Sequence, residues 1–198
     1  MKNWIILILA LAFYACSPTT TPADPKSYPA QTENGINVVI EIPAGTNKKI
    51  EYQSSTGTYQ TDQRDGRDRI IDFLPYPGNY GFIPSTIMSE SGGGDGDAID
   101  VLLLCEALPT GTVIEARAIG ALQLLDEGQL DTKIIAIPMD TTLQTLSPES
   151  FTEFSIRYDG ARHIIETWFL YYDGLGTNTF EGWLDEKKTL ALIAHYTH

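Results

Sequence analysis

Gly92-Gly93-Gly94-Asp95-Gly96-Asp97-Ala98-Ile99-Asp100-Val101-Leu102-Leu103-Leu104 places three carboxylates within six residues, directly ahead of an apolar run. Carboxylates this close repel one another unless cations sit between them, and all-oxygen ligands suit Mg2+, Mn2+ or Ca2+ better than zinc. The interleaved glycines leave the backbone free to fold tightly around such ions. Composition alone also admits a plain Asp/Gly-rich hairpin turn. Two metal or phosphate motifs are excluded. An EF-hand loop opening at Asp95 would need an oxygen ligand at its fifth position and glycine at its sixth, where the chain has Ile99 and Asp100. A P-loop needs Gly-Lys-Ser/Thr, and no such triplet follows.

Short strand patterns flank this stretch on both sides. Upstream, Ile36-Asn37-Val38-Val39-Ile40-Glu41-Ile42 alternates with Ile36, Val38, Ile40 and Ile42 on one face and Glu41 on the other, and Pro43 ends it. After a Gly45-Thr46-Asn47 turn, Lys49 and Glu51 share a strand face, an arrangement that could equally be a solvated cross-strand pair. Thr58-Tyr59-Gln60, a charged turn from Asp62 to Arg69, and Ile70 to Leu74 come next. Pro75 to Pro84 is too rich in proline for a central strand or a helix and is expected to be a structured loop. Its tyrosines, Tyr76 and Tyr80, can be core aromatics or can orient carboxylates and phosphates through their hydroxyls.

Downstream, the acidic stretch runs into a strand from Val101 to Cys105, followed by Val113 to Ile119. Gly120 to Leu125 and Thr132 to Pro138 then form a hairpin with Asp126 and Asp131 at its mouth and Lys133 on the face of Asp131. Strands at this spacing predict a small antiparallel barrel or a strongly bent sheet. The last fifty residues change to a helical period. Ser147-Pro148 reads as an N-cap and first helical residue, and Ile156, Ile164, Ile165, Trp168, Phe169 and Tyr172 recur at helical intervals with a break expected at Asp159-Gly160. A loop from Asp173 to Phe180 precedes a terminal helix capped by Asp185, with Leu190, Ile193 and Ala194 facing inward.

Length and composition bound the rest. A chain of 198 residues, 42% hydrophobic and 10% aromatic, makes one globular domain, here placed at 35–198. Residues 1–15 have a short basic start and an apolar run too brief to span a bilayer, which reads as an export signal. Cys16 after Ala15, followed by Ser17-Pro18, resembles a bacterial lipobox, with plain secretory cleavage as the alternative; residues 16–34 would be a lipidated cysteine and a Pro/Thr-rich tether. The protein would then sit on the periplasmic side of the cell envelope, membrane-anchored, or soluble after plain cleavage. Cys105 would be the remaining thiol, and its apolar neighbours favour burial. With 13 basic and 26 acidic residues, loss of Lys2 leaves 12 − 26 = −14, so nucleic acid and anionic lipid surfaces are not expected partners. An anionic substrate would need bound cations to bring it in.

Glu41, Glu51, Asp95, Asp97, Asp100, Asp126 and Asp131 stand on strand faces and turns with Lys49, Lys133 and an arginine among Arg64, Arg67 and Arg69. No Ser-His or Cys-His pair accompanies them, and His163, His195 and His198 are scattered. Many carboxylates with a few cations and tyrosines suit a polyphosphate bridged by divalent metals, which screen its charge and ionise a water. Lysine, arginine and tyrosine would hold the phosphoryl oxygens in line.

Asp95-Gly-Asp97-x-x-Asp100, Ile-Glu41-Ile-Pro-Ala, Lys49-x-Glu51, Tyr76-Pro-x-Asn-Tyr80-Gly and Asp126-x4-Asp131-x-Lys133 together resemble the soluble family I inorganic pyrophosphatases, over roughly residues 36 to 196. The resemblance implies an α+β, mainly β fold, a small five-stranded OB-like closed β-barrel with flanking helices. It implies Mg2+-dependent hydrolysis of pyrophosphate, several ions per site with Mn2+ an alternative, in a homo-oligomer. Asp95, Asp100 and Asp131 would bind the first ion, Asp100 also the second, and Asp126 one brought with the substrate. Glu41 and Glu51 would act partly through water, and Asp97 would take the proton from the attacking water. Lys49, Arg69, Lys133 and Tyr172 would bind phosphoryl oxygens, with Tyr80 orienting Asp100. One departure stands out: Asp173 follows Tyr172 where the family commonly has lysine. That exchange removes a cation and adds an acid, so a non-catalytic envelope protein binding metal, phosphate or polyphosphate is the second reading.

Overall fold

The computed structural model describes residues 24–89, 93–94, 96–126 and 128–198. Residues 1–15, expected to be an export signal, together with Cys16 and Asp95, lie outside the described residues. Within the described residues, ten strands and three α-helices follow in order: β1 (Ile36–Ile42), β2 (Ile50–Gln53), β3 (Thr58–Thr61), β4 (Gln63–Arg64), β5 (Arg67–Asp68), β6 (Asn79–Phe82), β7 (Asp100–Leu103), β8 (Val113–Asp126), β9 (Gln129–Pro138), α1 (Phe151–Arg157), α2 (Asp159–Tyr171), β10 (Asn178–Asp185) and α3 (Glu186–Tyr196).

Five strands make a ring. The sheet runs β1-β6-β7-β9-β8, and β8 pairs with β1 again through Val113 to Ala116, which closes it. Its neighbours are antiparallel except β7 and β9, which run parallel with Asp100 opposite Lys133. The long strand β8 serves two partners on one side: its first half meets β1, and its second half, from Gly120 to Asp126, carries β10. The sequence period splits at this junction because a bulge between Ala118 and Gly120 breaks the alternation, so the two expected strands are one strand of 14 residues.

Alternate residues along the ring feed two apolar clusters. Ile36, Val38, Ile40, Val101, Leu103, Ile134 and Ala136 join Ile193 of α3, while Leu102, Ile119, Leu122, Ile135 and Ile137 join Phe154 of α1 and Ile165, Trp168 and Phe169 of α2. Ile42 belongs to the second cluster although Ile40 belongs to the first, because the β1–β6 register shifts between them, at Glu41.

Several expectations are corrected. Pro75 to Pro84 is not all loop: the prolines occupy positions 75, 77 and 84, and the proline-free Asn79–Phe82 forms β6, hydrogen-bonded to strands on both sides. The loop expected to reach Phe180 ends sooner, since β10 begins at Asn178. The first helix is capped by Ser150, whose hydroxyl accepts from the Glu153 amide, rather than by Ser147. The break in the helical run falls at Tyr158, one residue before Asp159. Ile156 and Ile164 face outward, as do Leu190 and Ala194, leaving Thr189 and Ile193 as the buried residues of α3. Asp185 caps α3 as expected, accepting from the Lys188 amide.

Residues 24–34 do more than tether. Ala30 is 1% exposed and packs in the core, its carbonyl accepts from the Asn37 amide at 3.0 Å, and Thr32 donates to Glu115. Among the described residues, no helix is long and apolar enough to cross a membrane.

Candidate active site

A cavity of about 600 Å³ opens at one end of the ring. It is lined from five directions. β1 contributes Glu41, β2 brings Glu51 beside Lys49, β7 and the turn before it bring Asp100 and Asp97, the β8–β9 hairpin brings Asp126, Asp131 and Lys133, and the end of α2 brings Tyr172 and Asp173. The Glu41 bulge is what turns that carboxylate to the cavity, where it accepts from the Tyr52 amide at 2.7 Å. Gly96, at φ 87, allows a tight turn whose amide bonds to the Met88 carbonyl, and the Met88 amide in turn bonds to the Asp97 carbonyl at 2.7 Å. The Leu130 amide donates to the Gly93 carbonyl at 2.9 Å. That bond ties the acidic turn to the hairpin between Asp126 and Asp131.

Lys133 is the electrostatic centre. Its side chain is 5% exposed, and its ammonium lies 2.6 Å from Asp100, 2.6 Å from Asp131 and 2.9 Å from the Tyr80 hydroxyl. Burial opposes its charge, but the two carboxylates outweigh burial and hold its pKa well above the ordinary lysine range. The parallel register that sets Asp100 opposite Lys133, and the two-residue step from Asp131 to Lys133, place all three groups together. Tyr80 reaches Asp100 through this ammonium, accepting its hydrogen bond, rather than by a direct bond.

Burial pushes the Glu41 carboxyl up to about 8; the Tyr52 amide opposes this, and the nearby Asp100 and Glu51 carboxylates add to it. Burial likewise raises the Tyr76, Tyr80 and Tyr172 phenols, which therefore face the cavity protonated. Tyr172 is held by stacking on Trp168, ring centroids 4.7 Å apart and 12° from parallel. The opposite wall is cationic. Lys49 pairs with Glu51 at 2.9 Å, Arg64 makes two 3.0 Å bonds to Asp173, and Arg69 reaches Asp173 at 2.8 Å and Asp62 at 3.5 Å.

The structure thus brings together Glu41, Lys49, Glu51, Arg69, Tyr80, Asp97, Asp100, Asp126, Asp131, Lys133 and Tyr172. Asp95 lies outside the described residues. Of the three candidate arginines, Arg64 joins Arg69 at the cavity, whereas Arg67 does not line it. The three histidines stay away from it, and Cys105 is buried, its sulfur accepting from the Asn79 amide group at 3.3 Å. Sequence reasoning missed Lys26, which reaches the cavity from the segment read as tether. No period or motif marks it; only tertiary packing puts it there.

The donor set suits hard divalent cations. Every candidate ligand is a carboxylate, and Glu41 keeps a proton that a cation could displace. Among the described residues no three acids are gathered tightly enough to hold an ion unaided; Asp100 and Asp131 are drawn onto Lys133 instead.

Comparison with known proteins gives a consistent answer. The family described as "Pyrophosphatase: Inorganic pyrophosphatase" matches residues 38–198. An inorganic pyrophosphatase of Neisseria meningitidis serogroup B is 35% identical over 175 residues, covering 83% of this chain and 89% of the relative. One from Mesorhizobium japonicum is 36% identical over 163 residues, covering 80% and 85%. Among solved structures, an inorganic pyrophosphatase from Neisseria gonorrhoeae superposes with a TM-score of 0.71 at 31% identity, over 85% of this chain and 93% of that one.

Proposed function

This chain belongs to the inorganic pyrophosphatase family, and from that premise we propose that it hydrolyses pyrophosphate to two phosphates with a metal-activated water. The observation that carries the reading is the cavity itself, where acids from β1, β2, β7 and the hairpin face a wall of Lys49, Arg64 and Arg69. Asp95, Asp100, Asp126 and Asp131, with Glu41 and Glu51 partly through water, would hold Mg2+, or Mn2+ in its place. Such ions, when bound, screen the substrate's charge and lower the pKa of water from about 15.7 towards neutral. The chain's own residues do the rest. Asp97, on the turn fixed by Gly96 and Met88, takes the proton from the attacking water. Lys133, Lys49, Arg69, Arg64 and Tyr172 hold phosphoryl oxygens, and the buried phenols donate without ionising. Lys133 also keeps Asp100 and Asp131 from repelling one another.

A non-catalytic binding protein gains no observation in its favour, since Asp173 faces arginines rather than the metal-side acids. The finer parts of the proposal concern location and assembly. Residues 1–15 and Cys16 support export and lipidation, with residues 35–198 as the catalytic domain. The outward Ile156 and Ile164 support association between copies of the chain.

Phosphate release from pyrophosphate, with and without Mg2+, tests the function, run beside polyphosphate and a nucleoside triphosphate. Wild type should require the cation and prefer pyrophosphate. Asp97→Asn should lower turnover by about two to four orders of magnitude, the range for losing a positioned base, with metal binding largely kept. Equal turnover of Asp97→Asn and wild type at saturating Mg2+ would remove Asp97 from its role.

A further inference from the structure

We propose that Lys26, carried by the N-terminal segment, is a substrate-binding residue at the mouth of the cavity, a cation added from outside the residues matched to the family. The inference rests on the pyrophosphatase reading of the same cavity and extends it.

The first observation is that the segment is seated. Asp24 caps the turn Pro25–Ser27, accepting from the Lys26 amide at 3.0 Å, and its carbonyl accepts from the Ser27 hydroxyl at 2.7 Å. Ser85 donates to the Tyr28 carbonyl at 2.8 Å and to the Lys26 carbonyl at 3.4 Å. Buried Ala30 and the Asn37 amide group, which donates to the Pro29 carbonyl at 2.9 Å, fix the far end. A lysine on a loose tether would lose ordering entropy on meeting a ligand. Here the backbone is ordered in advance.

The second observation concerns charge. Lys49 is paired with Glu51, Lys133 with Asp100 and Asp131, and both Arg64 and Arg69 with Asp173. Among the described residues, Lys26 is the cavity cation whose ammonium makes no ion pair, and its field reaches Glu41. A cation at the rim, open to solvent and unneutralised, can take a phosphoryl oxygen without first breaking an internal pair. It also offers a landing point for an anion approaching a chain of net charge −13.

The test is steady-state kinetics at saturating free Mg2+, together with calorimetry of inorganic phosphate binding in Mg2+. Lys26→Ala should raise KM for magnesium pyrophosphate about tenfold, equivalent to about 1.4 kcal/mol, and weaken phosphate binding to a similar extent, with kcat within about twofold of wild type. Lys26→Arg should restore most of both, and Ser85→Ala, which loosens the segment, should move both constants in the same direction by less. The proposal is overturned if Lys26→Ala matches wild type in KM and phosphate affinity. It is overturned equally if only the Mg2+ half-saturation shifts, for Lys26 would then act through Glu41. Should wild type fail to hydrolyse pyrophosphate, the functional reading falls, while phosphate calorimetry on Lys26→Ala still decides this one.

Discussion

Asp173 holds two guanidiniums at once, with two bonds to Arg64 and one to Arg69, and its side chain is only 20% exposed. Burial works against its charge, but the guanidiniums outweigh burial and keep the carboxyl below the ordinary aspartate range. The residue therefore does not point into solvent; it holds the two arginines proposed to bind the phosphoryl group. Replacing it with lysine, the residue the family commonly has there, would set a third cation against Arg64 and Arg69. Asp173→Asn is the cleaner variant, because it removes the charge and keeps an acceptor. Partly exposed ion pairs are worth about 0.2–1 kcal/mol, so KM for magnesium pyrophosphate should fall by a factor of about 1.4 to 5 with kcat little changed. Kinetics at fixed free Mg2+ check this, and an unchanged KM means the guanidiniums do not meet substrate. Most of the cavity's residues are legible in the sequence because they sit on strand faces and in turns, where a two-residue step or a short loop places them locally. Lys26 is not, since its place depends on the contact of its segment with Ser85, far away in sequence, and which of the candidate arginines face the cavity follows only from their contacts with Asp173.

At the level of elements, the site depends on how closely β6 lies against β1. A Cβ built on Gly81 would stand 1.9 Å from the Val39 carbonyl oxygen and 3.0 Å from the Glu41 amide. Glycine at 81 lets the two strands meet where the bulge turns Glu41 inward. Gly81→Ala should cost about 1–3 kcal/mol, the range for overpacking, or roughly 2–12 °C in Tm for a chain of this length. Gly160 is the control. It lies in α2 with nothing within 4 Å of a built Cβ, so Gly160→Ala should be neutral or stabilising by up to about 1 kcal/mol. Thermal unfolding of the two variants separates close strand approach from a general response to alanine. The same elements mark where sequence reasoning stops. β1, the hairpin and the Asp185 cap follow from alternation and capping chemistry, which act locally. β6 hides between prolines that flank it without entering it, and β10 is masked by the bulge between Phe180 and Gly182, which breaks its alternation.

For the whole molecule, two facts meet at the N-terminus: the segment from Asp24 is seated on the cavity rim, and Cys16 is only eight residues before it. Eight residues reach at most about 29 Å when fully extended. If Cys16 carries the proposed lipid, the rim is therefore held within that distance of the bilayer, and substrate must reach it through the field of the lipid headgroups. That field decays over about 8 Å at physiological ionic strength and over about 30 Å at 0.01 M. Wild type in vesicles rich in anionic lipid should then show a raised KM at low salt, because pyrophosphate is depleted near the surface, and an ordinary KM at physiological salt. Cys16→Ser should move the protein to the soluble fraction with full turnover and with no dependence of KM on vesicle composition. A Cys16→Ser protein that stays in the membrane fraction with its signal cleaved would end the lipid-anchor reading, and identical low-salt KM values for the two proteins on anionic vesicles would show that the rim does not sit near the surface.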